Sequence, residues 1–480
     1  MGLLNNYKPE KLFTFEAADS YPYELTEWHV INWDQRRRIL VTVAFEREID
    51  EDLDEEFGTL CQALGKVVGD LDDDVNLLKF SKNFDLISAS SDPTMDIFNV
   101  PLYCPVNMIP KKYQTGRVIS RKDLVEVDRL KTGVDLVTYR FEPKSTAVFK
   151  YGVDPQQAPR NWRELNCWLR VSEHPNVVPF EYIITDFQDV PRHGTDMEVV
   201  VGFTSTFIPG GTFEDNRSRD FKLKYLEQLI EVVDDLNLKF GIVHADITRR
   251  NIVINPTTDT LQLFDFNVSL RANSESGKPD PPRFTRDKID VNSVVATVYE
   301  IITGDSERAA AIIEHGEPTS TVTRMKWVKR PDVCLDAGIS SYQRTLRCWL
   351  RRRNRPLNRV RHFKQAQSPL EEWPQPWAPK IPAMRSDGSL ITSWDDAGTR
   401  SSVDVGAMRA LGLKFVTWER PAHNRIPEGF RVLADGTLVA QADLDGDAQG
   451  HAVGSRSGHR DQLALKGVKR RKGRAPGGDV

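Results

Sequence analysis

Apolar and polar positions alternate differently along the chain, and the period of the alternation divides it. Near the start, WHVINWDQRRRILVTVAFERE contains a run of apolar and β-branched residues that predicts a strand from Ile39 to Phe45. The acidic run EIDEDLDEEF follows, and a second carboxylate cluster opens LDDDVNLLKF. Neither has the DxDxDG spacing of a calcium loop, so these acids predict a solvated face or loop, or a docking surface for a basic partner. From about residue 120 a period of two takes over. DLVEVDRL, VDLVTYRF and STAVFKYG predict three strands in series. Lys131, Thr132 and Gly133 supply the first turn, with the glycine able to take a positive φ, and EPKS (142–145) supplies the second.

The period then becomes helical. In NWRELNCWLRVSEH, residues Leu165, Trp168, Leu169 and Val171 recur at helical spacing, and Pro175 follows. DMEVVVGFTSTFIPGG returns to a strand pattern with a glycine-marked exit. The clearest helix is FKLKYLEQLIEVVDDLNL (221–238), where Leu226, Leu229, Ile230, Val233 and Leu236 form one stripe. IVINP and LQLFDF predict two more strands. DVNSVVATVYEIITG is apolar around much of its circumference, so it belongs in a core. Strands with one helix come first and helices dominate later, which is an α+β, two-lobe order. After about residue 360 the pattern is irregular. PLEEWPQPWAPKIP is rich in proline and tryptophan and suits an extended strap or a recognition segment. FRVLADGTLVAQ predicts a hairpin turning at Asp435-Gly436, and the polar, glycine-rich end is expected to be disordered.

Composition narrows the picture. The 480 residues suffice for more than one folded unit, and a net charge of −4 argues against a polycation that coats nucleic acid. The basic stretch RCWLRRRNRPLNRVRH lacks an aromatic platform for bases; it is expected to solvate its lobe, with acidic protein or RNA as the alternative ligand. Cys61, Cys104, Cys167, Cys334 and Cys348 form no CxxC pair, which argues against a disulfide scaffold or structural zinc and fits a reducing, intracellular setting. No signal peptide and no membrane span are expected. Lys469, Arg470, Arg471, Lys472 and Arg474 could form a nuclear import signal or a phosphate-binding patch, so both cytoplasm and nucleus are expected compartments.

The chemistry concentrates in GIVHADITRRNIVINP and the LQLFDFN that follows. Asp246 and Asn251 are five positions apart before one strand, and Asp265 follows the next. This places three oxygen-bearing side chains at the mouth of a hairpin, and hard cations such as magnesium take such ligands together with phosphate oxygens.

These motifs resemble the protein kinase superfamily. Its catalytic loop, HxDxxxxN, reads here from His244 through Asp246 to Asn251. The resemblance implies that Asp246 orients the acceptor hydroxyl and takes its proton, and that Asn251 and Asp265 hold magnesium, Asp265 standing in DFN where most members have DFG. Lys150 ends AVFK, which is similar to the VAIK strand, so it would reach the α and β phosphates of ATP. Glu164, on the predicted helix, is its implied partner. FIPGGTF (207–213) resembles the linker between lobes, whose main chain at Phe207 and Ile208 would meet the adenine edge. Asp290 and Ser293 resemble the DxWSxG helix, with Asn292 in place of tryptophan, and Cys348-Trp349 with Arg355-Pro356 resemble the late CW...RP segment.

The resemblance spans about residues 120 to 360. It implies a bilobal protein-kinase-like fold, with an N-lobe at 116–206 and a C-lobe at 207–360. Flanking it would be an N-terminal region (1–115), a Trp/Pro-rich extension (361–440) and a basic tail (441–480). The implied activity is ATP- and Mg2+-dependent phosphorylation of a protein serine or threonine. A pseudokinase scaffold that binds a partner protein, and a small-molecule kinase, are the alternatives. Three departures bear on the choice. Gly133 is the one glycine between Leu124 and Lys150, where members read GxGxxG, which predicts a weak grip on phosphate. Ala245 replaces the arginine that pairs with a phosphorylated activation loop. Asp265 and Asp290 are 25 positions apart with no APE motif between them, a shortening also seen in the RIO-type atypical kinases. Asn267 replaces the DFG glycine and, among non-glycine residues, tolerates left-handed backbone angles best.

Overall fold

The computed structural model describes residues 12–21, 25–44, 53–91, 99–155, 157–171, 173–190, 194–272, 289–355, 362–370, 374–375, 377 and 402–445. The basic cluster near the C-terminus, most of the Trp/Pro-rich segment and residues 273–288 of the shortened segment lie outside these. The chain is a mixed α+β protein with several sheets and helices.

Strands β1 (Phe13–Tyr21), β2 (Leu25–Asn32) and β3 (Arg37–Ala44) form an antiparallel meander. Helix α1 (Leu53–Val67) crosses over to β4 (Leu77–Phe80), which runs parallel to β3, and β5 (Leu86–Ser90) closes this five-stranded sheet. A parallel neighbour requires such a crossover. The strand expected from Ile39 begins two residues earlier, at Arg37. The second half of the acidic run is helical, not a loop. Phe57, Leu60, Cys61 and Leu64 fall on one face of α1 and pack on Trp28, Val41 and Leu78, while Glu55 is exposed.

After β6 (Asn99–Pro101) comes a six-stranded sheet. It contains β7 (Val118–Ser120), β8 (Leu124–Lys131), β9 (Val134–Tyr139) and β10 (Glu142–Tyr151). Helix α2 (Gln157–Val171) separates these from β11 (Phe180–Val190) and β12 (Gly194–Thr206). The spatial order is β7-β11-β12-β10-β9-β8. The first turn is where the sequence puts it, with Gly133 at φ 68°. The second lies at Arg140 and Phe141 instead of at EPKS. Residues 142–145 continue as strand through a register shift before Thr146, where Pro143 has no N–H to give to the ladder. Phe141 fixes the turn by stacking on Tyr139 at 5.2 Å.

The longer helices that follow are α3 (Leu223–Asp234), α4 (Ile289–Thr303), α5 (Ser306–Glu314) and α6 (Ile339–Arg353). Between α3 and α4, β13 (Ile242–Val243) pairs with β16 (Leu270–Arg271), and β14 (Ile252–Asn255) with β15 (Thr260–Leu263). As its composition predicts, α4 is buried on nearly every side. Near the C-terminus β17 (Ser402–Asp404) pairs with β6, and α7 (Val405–Ala410) follows. β18 (Phe430–Val432) and β19 (Leu438–Ala440) form the predicted hairpin, with Gly436 at φ 89°.

Arg36, in the β2–β3 turn, joins these parts. Its side chain is buried. Nε donates to the Tyr151 hydroxyl at 2.8 Å, and Nη1 to the Ala434 carbonyl at 3.1 Å. Nη2 meets Asp135 at 2.5 Å and also pairs with Glu126. The guanidinium lies 4.8 Å from the Tyr151 ring centroid. All five cysteines are free, Cys61, Cys104 and Cys167 buried and Cys334 and Cys348 exposed. Burial pushes the Cys104 thiol up to about 11. Among the described residues no helix is long and apolar enough to cross a membrane.

Arg36→Ala leaves Asp135 with Arg129 (2.8 Å) and Glu126 with Arg420 (3.1 Å) but empties a buried position, so chemical denaturation should show a loss of about 3 kcal/mol. At pH 8, iodoacetamide should label Cys334 and Cys348 in the folded protein, whereas Cys104 is modified only on unfolding. Peptide mass mapping reads the difference.

Candidate active site

Alternation along β10 sends Phe149 and Tyr151 into a buried cluster with Trp418, and Lys150 to the other face, towards α2. The Lys150 Nζ is 2.7 Å from Glu164 Oε2 and 2.6 Å from Asp265 Oδ1. Burial opposes the Lys150 charge, but Glu164 and Asp265 outweigh it and hold the ammonium above its ordinary range. Glu164 has no solvent exposure, and burial pushes its carboxyl up to about 8 against the pull of Lys150. Asp265 is less enclosed; burial works to raise it, yet Lys150 holds it below the usual carboxylate range. One ammonium thus serves two carboxylates, and the more deeply buried of them carries a proton more readily.

Asn267, which tolerates a left-handed backbone, does not adopt one here. Asp265 (φ 67°) and Ala245 (φ 68°) do. The chain must turn Asp265 towards Lys150 while burying Phe266 against Trp168 (5.7 Å) and His244 (4.9 Å). The reversal falls at the aspartate, which tolerates this region. Asn267 Oδ1 is buried without a hydrogen-bond partner.

Residues 244–251 connect β13 to β14 and are held from beneath by α4. Asp290, in the first turn of α4, accepts from His244 N (2.8 Å) and Ala245 N (2.8 Å) as well as from Asn237 Nδ2 (2.7 Å). Thr297 Oγ1 donates to the Ile247 carbonyl at 2.7 Å, and Ser269 Oγ to that of His244 at 3.1 Å. His244 Nε2 lies 3.1 Å from the Phe264 carbonyl, which ties this loop to the segment bearing Asp265. Ser293 is buried within α4. Asn251 Nδ2 donates to the Asp246 carbonyl (2.9 Å) and to its Oδ2 (2.8 Å). Arg250 Nη2 approaches both Asp246 carboxylate oxygens, at 3.0 and 3.1 Å. Arg250 has no role in the motif as the resemblance implies it. Its spacing of four from Asp246 on one short loop was the available signal.

β12 ends at Thr206, and the main chain of Phe207 and Ile208 leaves the ladder. Ile208 is buried in the main core and Phe207 is partly exposed. Burial would raise the Asp215 carboxyl, but the Thr212 N–H (3.0 Å) and O–H (2.7 Å) and the charge of Lys131 hold it down. Lys131 therefore faces the linker from the β8–β9 turn. That turn is short: Val134 lies opposite Lys150, so Thr132 and Gly133 are all that extend past it. A Cβ at Gly133 would come within 2.7 Å of the Tyr151 carbonyl, so close packing on β10 accounts for this glycine.

Among the described residues no group of three or more His, Cys, Asp or Glu side chains could hold a metal unaided. Magnesium commonly takes one or two protein oxygens and completes its shell with phosphate and water. Asp265 and Asn251 fit that role. The Asn251 amide nitrogen is engaged by Asp246, which leaves Oδ1 as its ligand atom, and the unpartnered Asn267 oxygen lies in the same turn as Asp265.

Asp290→Ala should strand the buried His244 N–H and the half-buried Ala245 N–H, and leave Asn237 Nδ2 with the Ile242 carbonyl alone. Urea unfolding should then show a loss of about 3 kcal/mol or more. No protein-family model matches the chain, and no curated protein matches it, so the functional reading stands on the residues themselves.

Proposed function

We propose that this chain is an ATP- and magnesium-dependent phosphotransferase, built as a two-lobed, protein-kinase-like body with N- and C-terminal extensions, that acts on a protein serine or threonine. The observation that carries the reading is the convergence of Glu164 and Asp265 on Lys150, at 2.7 and 2.6 Å, from elements far apart in sequence. Lys150 would hold the nucleotide phosphates as a point charge, and the main chain at Phe207 and Ile208 would meet the adenine edge. Magnesium on Asp265 and Asn251 would neutralise charge on the phosphates. Asp246, fixed by Asn251, would orient the acceptor hydroxyl and take its proton. The rate would come from positioning and charge complementarity, with no covalent enzyme intermediate.

A scaffold that binds a partner protein and does not turn over is the second reading. Two observations favour it: the β8–β9 turn barely passes Lys150, and Arg250 caps the Asp246 carboxylate. The two readings separate on three variants, studied by calorimetry with Mg-ATP and by labelled-phosphate transfer to serine and threonine peptides. Lys150→Ala and Asp265→Asn should each weaken Mg-ATP binding by roughly tenfold or more, whereas Asp246→Asn should retain binding and lose transfer by about 100-fold or more. Equal transfer by the wild type and Asp246→Asn would remove Asp246 from the mechanism. Binding without any turnover would favour the scaffold, and turnover that depends on Asp265 would exclude it.

A further inference from the structure

Helix α2 presents two opposed faces. Each residue advances about 100° around a helix, so Glu164 and Trp168 share one side, Trp162 lies nearly opposite Glu164, and Leu165 falls between Trp162 and Trp168. The Glu164 side faces the site. Its companion Trp168 donates from Nε1 to the Val178 carbonyl at 2.7 Å and packs on Phe203 and Phe266. The other side is backed by a segment more than 200 positions away in the sequence. Trp162 Nε1 donates to the Pro374 carbonyl at 2.7 Å, a separation of 212 residues. Trp377 N donates to Cys104 Sγ at 3.2 Å. The Trp377 ring packs against the core that contains Trp162, Leu165 and Phe266, and also against the smaller cluster of Leu102, Val190, Val405 and Met408. Between Trp162, Leu165, Cys104, Phe203 and Trp377 lies a cavity of about 30 Å³. That is room for a water and little more, so α2 is nearly but not fully packed on this side.

We propose that Pro374 and Trp377 are positioning residues for the Lys150–Glu164 pair. They back α2 on the face opposite Glu164, and that backing keeps the carboxylate against Lys150. Among the described residues Trp377 meets α2 beside Trp162, on the side away from Glu164. The effect on α2 is independent of what the site does; only its consequence for nucleotide binding rests on the phosphotransferase reading.

The test uses the full chain with Trp377→Ala, Trp377→Phe and Trp162→Phe, each also combined with Glu164→Gln. Hydrogen–deuterium exchange is followed in peptides spanning 157–171, and calorimetry measures affinity for magnesium with a non-hydrolysable ATP analogue. Trp377→Ala should speed exchange in α2 by about tenfold while residues 134–151 keep wild-type protection. Affinity for the analogue should fall by roughly tenfold in the wild-type background and change less than about twofold alongside Glu164→Gln, because the two substitutions break one coupled path. Trp377→Phe, which keeps an aromatic ring on α2, should restore both readouts. Unchanged α2 exchange in Trp377→Ala overturns the proposal, as does an equal affinity loss in the Glu164→Gln background. If Trp377→Ala does not fold, Trp162→Phe decides: it keeps the ring and removes the N–H to Pro374, and must still speed α2 exchange. If the wild type binds no nucleotide, the phosphotransferase reading fails and the exchange result alone decides the positioning role.

Discussion

A buried cation with partners from both ends of the chain constrains everything else. Taking a guanidinium out of water costs several kcal/mol unless its hydrogen bonds are rebuilt inside. Arg36 rebuilds them from Glu126 on β8, Asp135 on β9, Tyr151 on β10 and the Ala434 carbonyl, the last 398 positions away. The N-terminal hairpin, the six-stranded sheet and the segment before β19 must all dock before that set is complete. Trp418 adds a stacked ring on Tyr151 at 4.6 Å and lies near Arg121 as well. Tyr151 is next to Lys150 on the same strand. Fixing one through Arg36 therefore fixes the direction of the other, and the terminal regions of the chain help to hold the candidate site.

A second set of bonds does the same for the loop carrying Asp246. Helix α3 passes into a π-helical turn, residues Asp235–Phe240, closed by Gly241 at φ 71°. The wider turn brings Asn237 inward, where its Nδ2 reaches the Ile242 carbonyl (2.8 Å) and Asp290 (2.7 Å). Arg353 of α6 donates to the Asn237 Oδ1 at 2.8 Å, and Trp349 Nε1 donates to Asp234 at 2.9 Å. A continuous path thus runs from the Cys348-Trp349 motif through Asn237 and Asp290 to the main chain of His244 and Ala245. The late tryptophan and arginine matter here as supports for a loop more than 100 positions upstream.

Much of this was legible in the sequence, because spacing along a regular element translates directly into direction. The resemblance to protein kinases singled out Lys150, Glu164 and Asp290, and the periods of the strand and the two helices that carry them gave their elements. The strands of the six-stranded sheet and the core role of α4 were readable for the same reason. Long-range facts were not. Arg36 is one of three consecutive arginines, two of them buried, and only the docking of segments distant in sequence distinguishes the one that joins the parts. Trp418 and Trp377 sit in irregular sequence that has no period to read. The EPKS turn and the left-handed position at Asp265 were missed for a local reason: propensity favoured Pro143-Lys144 and Asn267, whereas packing of Phe141 on Tyr139 and of Phe266 on Trp168 and His244 decided the backbone.

The short β8–β9 turn changes how a ligand would have to be held. A glycine-rich loop can fold down over phosphates because nothing pins it. Here Gly133 is packed against the Tyr151 carbonyl and near the Trp33 ring, and its own carbonyl accepts from Tyr151 N at 2.9 Å. Trp33 is itself buried and donates to Thr14 Oγ1 at 2.8 Å. A turn anchored in this way cannot close over a ligand without breaking into the Arg36 and Tyr151 cluster beneath it. If the chain binds a nucleotide as proposed, affinity would therefore rest on charges already in place, chiefly Lys150, and on any magnesium held by Asp265 and Asn251. Preformed charge needs no closure on binding, but it leaves the phosphates more open to water than a mobile lid would. The same packing that makes the two terminal regions part of the site thus takes away the flexible roof that the motifs would lead one to expect.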